Sequence, residues 1–240
     1  MDFEYKVEQI GPKIKVCSTD DHNFGTDAIL LFDFAKIKKR DKICDFGTGC
    51  GIIGLLSVEK TNSRVFGVEI QPKAYNQAKK SAEMSGYSDR FVPILADLKE
   101  LGNHFASGEL TLVFCNPPYF KVGSGKTSDN EAKAIARQEI KCNIYDVAEA
   151  AGRYLADKGS LYVCHRPERL ADIIDAFRKN RIEPKRIRFC KSDAEKSPWL
   201  FLMEGRKNAS AGMIVMPDLV VKPGEEPTDT YMKYRKEKEE

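Results

Sequence analysis

Long apolar runs are missing from this 240-residue sequence. None approaches the roughly 18 residues that a membrane-spanning helix needs, so no membrane association is expected. The opening stretch MDFEYKVEQIGPKIKV carries Asp2, Glu4 and Glu8 and has no apolar h-region. It therefore reads as neither a secretory nor a transit peptide. Tryptophan occurs once, and none of the three histidines, His22, His104 and His165, has a catalytic partner at a recognisable spacing. Cysteine is present, but pairing is not: there are seven, an odd number, with no C-x-x-C pair. Cys44, Cys115 and Cys164 sit inside apolar runs, where a free thiol behaves as a small buried hydrophobe. Zinc and disulfide frameworks are set aside, no metal is expected, and reduced thiols point to the cytoplasm. An excess of one charge is also lacking, with 39 basic against 36 acidic residues and a net charge of +3. That excludes a histone-like protein while leaving room for a local basic patch.

What is present is an ordinary globular composition, 42% hydrophobic and 10% aromatic. At about 150 residues per domain the length corresponds to roughly 1.6 domains, one full domain with an attachment or two small ones. From about residue 42 to 206, short β-rich runs alternate with longer helical ones. KICDF (42–46) precedes GIIGLLSVEK (51–60), and RVFGVEI (64–70) precedes PKAYNQAKKSAEMSG (72–86). FVPILAD, LTLVFC and GSLYVCH continue the strands, with a helical stretch near 143–157. Leu170, Ile173, Ile174 and Phe177 fall at i, i+3, i+4, i+7, which predicts an amphipathic helix. RIRFCKS and PWLFLMEGR follow as two nearby strands. This alternation predicts an α/β fold, a doubly wound and mostly parallel sheet of seven strands, antiparallel only at that terminal pair. Residues 1–40 read as an N-terminal element packing on a catalytic domain of 41–207. Residues 208–240 read as a strand, MIVMPDLVV, followed by a charged tail.

The first segment that carries chemistry is Asp45-Phe46-Gly47-Thr48-Gly49-Cys50-Gly51-Ile52-Ile53-Gly54, where the first strand of the alternation hands over to a helix. Glycines at such a junction let the chain turn sharply and let a ligand approach the backbone. The string Gly49-x-Gly51-x-x-Gly54 matches a dinucleotide fingerprint. Asp45 argues against that ligand, since a carboxylate before the glycines repels a pyrophosphate and suits the ammonium of a methionine-like group. Glu69 ends the next strand, 20 residues after Gly49, a spacing that suits ribose hydroxyls. Asp97 ends the third strand, placed to reach an adenine amine. Each acid alone could equally cap a helix or sit solvated. Three of them at three successive strand ends, in register with a glycine loop, line a ligand crevice.

The second segment is VFCNPPYF, an apolar strand running into Asn116-Pro117-Pro118-Tyr119. Two prolines lock the backbone, so its carbonyls point in fixed directions. The Asn116 side-chain oxygen and the Pro117 carbonyl can each accept one N–H of a planar amine, while Tyr119 stacks on the ring. An aromatic amine is a poor nucleophile because its lone pair is delocalised. Holding both hydrogens out of their preferred plane localises that pair and aims it at an electrophile.

In this order DFGTGCG, VEI, LAD and NPPY resemble the class I S-adenosylmethionine-dependent amino-methyltransferases, a Rossmann-like family. Phe24-Gly25-Thr26-Asp27-Ala28-Ile29-Leu30-Leu31 and Ala136-Arg137-Gln138-Glu139-Ile140 are similar to segments of the bacterial tRNA1(Val) adenine-37 N6-methyltransferases within it. Pro198 to Lys207, MIVMPDLVV and Tyr231 resemble that subgroup's C-terminal region. The resemblance implies S-adenosylmethionine as cofactor and transfer of its methyl group to adenine N6 in tRNA. It implies that Gly47, Thr48, Gly49 and Gly51 pass close to the methionine moiety with Asp45 near its amine, while Thr26 and Asp27 close that side. Glu69 and Ile70 would hold the ribose end, Asp97 and Leu98 the adenine, and Asn116 would border the cofactor as well as the substrate. The flipped-out target adenine would lie on Tyr119, with Asn116, Pro117 and Pro118 framing the reacting amine. The bland alternative for Thr26 and Asp27 is capping the helix that follows.

RNA needs basic groups. Phe120, Lys121, Lys126 and Arg137 beside the NPPY motif are candidate RNA contacts, in a stretch of the kind that often holds substrate. Seven basic residues between Arg178 and Lys191, against Glu183 alone, form a second candidate patch, balanced by the reading of a solvated helix end. The competing functions are amino-methylation of ribosomal RNA or of a protein glutamine side chain, an NAD-dependent reductase, and a non-catalytic RNA-binding scaffold. The reductase leaves Asp45 and NPPY unexplained. A monomer is expected.

Overall fold

The computed structural model describes residues 6–19, 23–117 and 143–221. It begins with a hairpin of β1 (Lys6–Ile10) and β2 (Ile14–Ser18), paired antiparallel. Helix α1 (Thr26–Phe34) leads to β3 (Ile43–Phe46), α2 (Ile52–Val58), β4 (Val65–Glu69), α3 (Pro72–Met84) and β5 (Phe91–Leu95). After a short 3-10 turn at Leu98–Asn103 come β6 (Leu110–Cys115), α4 (Ile144–Tyr154), β7 (Leu155–His165) and α5 (Leu170–Lys179). The described chain ends with β8 (Ile182–Lys191), β9 (Leu200–Lys207) and two short strands, β10 (Ile214–Val215) and β11 (Leu219–Val220).

Seven strands form the body of the sheet, in the order β5-β4-β3-β6-β7-β9-β8. The α/β, mostly parallel reading of the sequence holds. The direction of one strand differs from expectation. β9 pairs antiparallel with both β7 and β8, so β8 runs with the parallel set and β9 alone is reversed. The connection explains it: β8 follows α5 as a crossover, whereas a short surface link turns β8 back into β9. The MIVMPDLVV run becomes two two-residue strands lying parallel on the outer edge of β8. The helix near 143–157 stops at Tyr154, because Leu155 turns extended to pair with Leu110.

Strand periodicity divides the core into two layers. Ile43, Phe114, Tyr162 and Cys164 face α1 and α2, together with Ile14 and Val16 from the hairpin. Cys44, Phe46, Val113, Cys115 and Val163 face α4 and α5. Asn143 begins α4 with a reciprocal capping box to Asp146, which satisfies two helix-end donors. At the start of α2, Gly51 sits left-handed at φ +90°, and a Cβ there would come within 2.8 Å of the Phe91 ring. One turn on, a Cβ at Gly54 would overlap the same ring, so this helix lies against the sheet only with glycine on that face.

The basic run from Arg178 to Lys191 is largely consumed by structure. Arg178 pairs with Glu183, Lys179 with Asp175 and Lys191 with Asp218. Lys185 and Arg188 donate to the carbonyls of Ser210 and Pro217. Arg186 pairs with the fully buried Glu204, stacks 4.5 Å from the centre of the Phe34 ring and donates to the Phe34 carbonyl at 3.2 Å. Burial pushes the Glu204 carboxyl up, but hydrogen bonds from Arg186 and Arg206 outweigh it and hold the group below its usual range. Residues 178–183 also lie where α5 enters β8, the sheet edge opposite the strand ends that carry the acids.

Candidate active site

The parallel strands bring their C-terminal ends to one edge of the sheet. Phe46 of β3 is registered with Val68 of β4 on one side and with Cys115 of β6 on the other. Gly47, Glu69 and Asn116 therefore emerge side by side, with neighbouring strands about 4.8 Å apart. This is the position at which doubly wound sheets hold their ligands.

The loop after β3 is fixed by its own backbone. The Gly47 and Thr48 amides donate to the Val68 carbonyl at 2.8 and 3.0 Å, and the Gly51 amide donates to the Thr48 carbonyl at 2.9 Å. Gly47 and Gly49 have positive φ and nothing within 4 Å of the place a Cβ would occupy. An open cradle follows, in which a ligand can meet bare backbone. Glu69, only 6% exposed, ties the loop to β4: its Oε2 accepts from the Gly49 amide at 3.0 Å and its Oε1 from the Gln71 amide at 2.9 Å.

Asp45 is 2% exposed, and one carboxylate oxygen, Oδ2, accepts from the Thr48 hydroxyl at 2.7 Å. The other, Oδ1, is buried with no hydrogen-bond partner. An orphaned buried carboxylate oxygen is costly unless a cationic group meets it. Burial pushes this carboxyl up to about 7, with the nearby Glu69 adding to the rise and the Thr48 hydrogen bond opposing it. An open glycine cradle beside an acid with one unpartnered oxygen fits a ligand that carries an ammonium group. It does not fit a pyrophosphate.

Asp97 has its Oδ1 occupied by the Lys99 amide at 3.0 Å, so the capping role weighed for it is real. Its Oδ2 is the atom a ligand amine would use. Leu98 is buried in the α4–α5 layer, whereas Ile70 leaves an apolar surface 37% exposed at the end of β4. Thr26 and Asp27 form the first turn of α1. Gly25 stands at the N-cap without a side-chain cap, and Asp27 is the acid of the first turn, where the helix dipole favours a negative charge.

Asn116 and Pro117 are half-buried at the end of β6. The Asn116 side-chain oxygen lies 3.1 Å from the Cys164 sulfur of β7, a contact the sequence does not announce. Only aligning the ends of the VFC and LYVCH strands could have suggested it. His165 closes β7, buried, its Nδ1 accepting from the Arg166 amide at 2.8 Å. Burial pushes it down to about 4, with Arg169 and Arg166 adding to the effect, so it stays neutral near pH 7. Pro118, Tyr119, Phe120, Lys121, Lys126 and Arg137 lie outside the described residues, as do His22, Gln138 and Tyr231. Among the described residues no group of three or more His, Cys, Asp or Glu could hold a metal ion. No described helix is long and apolar enough to cross a membrane.

The methyltransferase small domain family matches residues 10–182, most of the chain. The chain belongs to the methyltransferase small domain family. A protein of Shewanella sediminis named tRNA1(Val) (adenine(37)-N6)-methyltransferase is 30% identical over 138 residues, 56% of this chain and 56% of its own. Over that match the chain thus spans little more than half of the relative's length. A protein of the same name from Flavobacterium psychrophilum is 26% identical over 218 residues, 89% of this chain and 88% of its own. Among solved structures, a predicted O-methyltransferase of Agrobacterium tumefaciens superposes with a TM-score of 0.65 at 20% identity, covering 81% of this chain and 86% of that one. At that identity the likeness speaks for the fold alone.

Proposed function

We propose that this methyltransferase-family protein transfers a methyl group from S-adenosylmethionine to the exocyclic N6 amine of an adenine in tRNA, with adenine 37 of tRNA1(Val) as the target. The observation that carries the reading is the register of β3 with β6. It brings Gly47 of the cradle level with Asn116, with Asp45 and its unpartnered Oδ1 two residues back beside Phe114. An ammonium-bearing cofactor and a planar amine would therefore meet at one sheet edge. The names of the relatives supply the RNA and its position.

In this scheme Asp45 Oδ1 receives the cofactor's ammonium, Gly47 and Gly49 give it bare backbone, and Glu69 accepts from the ribose hydroxyls. Asp97 receives the adenine amine and Ile70 offers an apolar face. Thr26, Asp27, Thr48, Gly51 and Leu98 complete the pocket walls. When bound, S-adenosylmethionine supplies an electrophilic methyl carried on a sulfonium. Asn116 Oδ1 and the Pro117 carbonyl accept the two hydrogens of the target amine and turn its lone pair out of conjugation. Those hydrogen bonds strengthen as the nitrogen becomes tetrahedral, which is where they lower the barrier. The neutral amine is the nucleophile, so no base is required before attack; the cofactor's sulfur would be left as a neutral thioether, and the methylated nitrogen then gives up one proton to solvent. Pro118 and Tyr119 would frame and stack the target base, with Phe120, Lys121, Lys126 and Arg137 gripping the surrounding RNA.

The test is transfer of label from S-[methyl-³H]adenosylmethionine to total tRNA, followed by digestion to nucleosides. Label in N6-methyladenosine supports the reading. Label in ribosomal RNA or in a glutamine side chain, with tRNA unlabelled, refutes it.

A further inference from the structure

One buried side chain touches the proposed reacting centre without a task in the scheme above. Along β6 and β7 the register pairs Cys115 with Val163, and both side chains lie in the α4–α5 layer. One residue further, Asn116 and Cys164 are neighbours on the opposite face. Cys164 is fully buried there, in the α1–α2 layer. Its sulfur lies 3.1 Å from Asn116 Oδ1, with the thiol as donor and the amide oxygen as acceptor.

A carboxamide has two ends of nearly equal size and a broad, roughly two-fold terminal torsion. Only one orientation works for Asn116. With Oδ1 forward it accepts from the substrate amine; turned over, its NH₂ opposes the amine's own hydrogens. A fixed donor behind Oδ1 favours the working orientation. An amide oxygen has two lone pairs, so one S–H does not saturate it. We propose that Cys164 is a positioning residue, whose thiol holds the Asn116 carboxamide with its oxygen turned toward the incoming amine. The proposal rests on the reading of Asn116 as the amine's acceptor. Cysteine meets both demands of the site. It packs as a small hydrophobe among Phe114, Tyr162 and Leu202, and it keeps a donor that valine lacks.

Two substitutions and one spectrum test this. Cys164→Val keeps an apolar side chain of similar size and removes the donor; Cys164→Ser keeps a donor at some cost in apolar packing. The expected result for Cys164→Val is a kcat lower by about 3- to 10-fold, the worth of one modest hydrogen bond, with KM for RNA and affinity for the cofactor unchanged. Cys164→Ser should recover much of that kcat while being the less stable of the two, since its hydroxyl is buried in an apolar layer. A purely structural cysteine gives the opposite order, with activity following stability and valine ahead of serine. In the substrate-free protein, the infrared S–H stretch assigned to Cys164 by difference should lie below those of the other buried thiols. It should move up in Asn116→Ala. A Cys164→Val enzyme with wild-type kcat, activity that tracks stability, or an S–H band indifferent to Asn116→Ala overturns the proposal. If the wild-type protein methylates no RNA, the functional reading fails, and the band still decides whether Cys164 holds Asn116.

Discussion

Asp45 gives the sharpest test of the crevice, because the same carboxylate should weaken the empty protein and strengthen the loaded one. Its carboxyl is fully buried, with one oxygen bonded to Thr48 and the other without a partner. Burial raises it from an ordinary value of 3.8 to about 7. The folded chain thus holds this proton more tightly than the unfolded chain does. Between those two values the folded state binds more protons, so stability falls as pH rises through that window. The span is roughly three tenfold steps at about 1.4 kcal/mol each, or about 4 kcal/mol between pH 4 and pH 7. His165 works in the opposite sense. It is depressed to about 4 from 6.5, so its cost appears as pH falls through that range. Over about pH 4 to 6.5 the two slopes largely cancel in the wild-type protein, and a single stability profile hides both.

The perturbation that separates them is Asp45→Asn, which keeps the shape and an oxygen for the Thr48 hydroxyl. Chemical denaturation of wild type and variant, without cofactor, from pH 4.5 to 8 should give a difference curve. The variant gains on wild type by about 3 kcal/mol across that range, most of it by pH 7. Its affinity for S-adenosylmethionine should fall by about 10- to 100-fold at pH 8, the worth of a hydrogen bond to a charged group. Wild-type binding should release close to one proton at pH 6 and almost none at pH 8.5, read by calorimetry in buffers of different ionisation heat. Parallel stability profiles, or unchanged affinity in Asp45→Asn, refute the assignment of Asp45 to a cationic ligand.

Further outcomes test the neighbouring parts. Asn116→Ala should lower turnover by on the order of 10²- to 10³-fold with cofactor affinity retained, as for loss of one preorganised transition-state hydrogen bond; single-turnover kinetics decide it, and a fall of less than about threefold contradicts the role. Gly54→Ala should destabilise the fold by about 1–3 kcal/mol, because the new Cβ overlaps the Phe91 ring; an unchanged denaturation midpoint argues against the described packing of α2 on the sheet. Arg186→Ala should cost about 3–5 kcal/mol by leaving Glu204 buried with Arg206 as its remaining cation. A double Arg186→Met, Glu204→Leu variant should regain most of that, and a double variant no better than the single breaks the argument. RNA affinity should fall steeply between about 50 and 200 mM salt if phosphates are gripped; a flat response contradicts nucleic-acid binding.

Much of this architecture was legible because local patterns and the global fold agree. Asp45, Glu69 and Asp97 each end a short apolar run followed by a helix signal, and parallel crossovers oblige all such ends to share one edge. The crevice followed from counting strands. Residue identity alone said less about how each acid is used. Asp97 caps a turn and Glu69 braces Gly49, structural tasks beside the cofactor roles proposed for them. The direction of β9 was not legible, since a strand's apolar run reads the same either way. The ion pairs of the basic run 178–191 were not legible for a related reason: the partners Asp175, Glu204 and Asp218 come from outside the run and meet it only once the chain has folded.

The sheet order also divides the labour within the site. β3, β4 and β5 carry acids at or beside their C-terminal ends, while an amide backed by a thiol follows β6 and a neutral histidine ends β7. An acid at the end of β6 would share the Asp45 crevice, and each carboxylate would drive the other's proton affinity up. A target amine would then face an acceptor whose charge state changes near pH 7. A carboxamide avoids that, since it accepts at every pH. Its weakness is that it can turn over, and the strand beside it supplies the Cys164 donor that holds it. The choice of Asn at 116 and the placing of Cys at 164 are on this view one solution: an uncharged acceptor next to a buried acid, with its orientation fixed by the neighbouring strand. Asn116→Asp tests the first half directly. It should leave methyl transfer strongly pH-dependent between about pH 6 and 8, where the wild-type rate at saturating cofactor should be nearly flat. Matching pH profiles for the two enzymes would remove the electrostatic reason for an amide at this position.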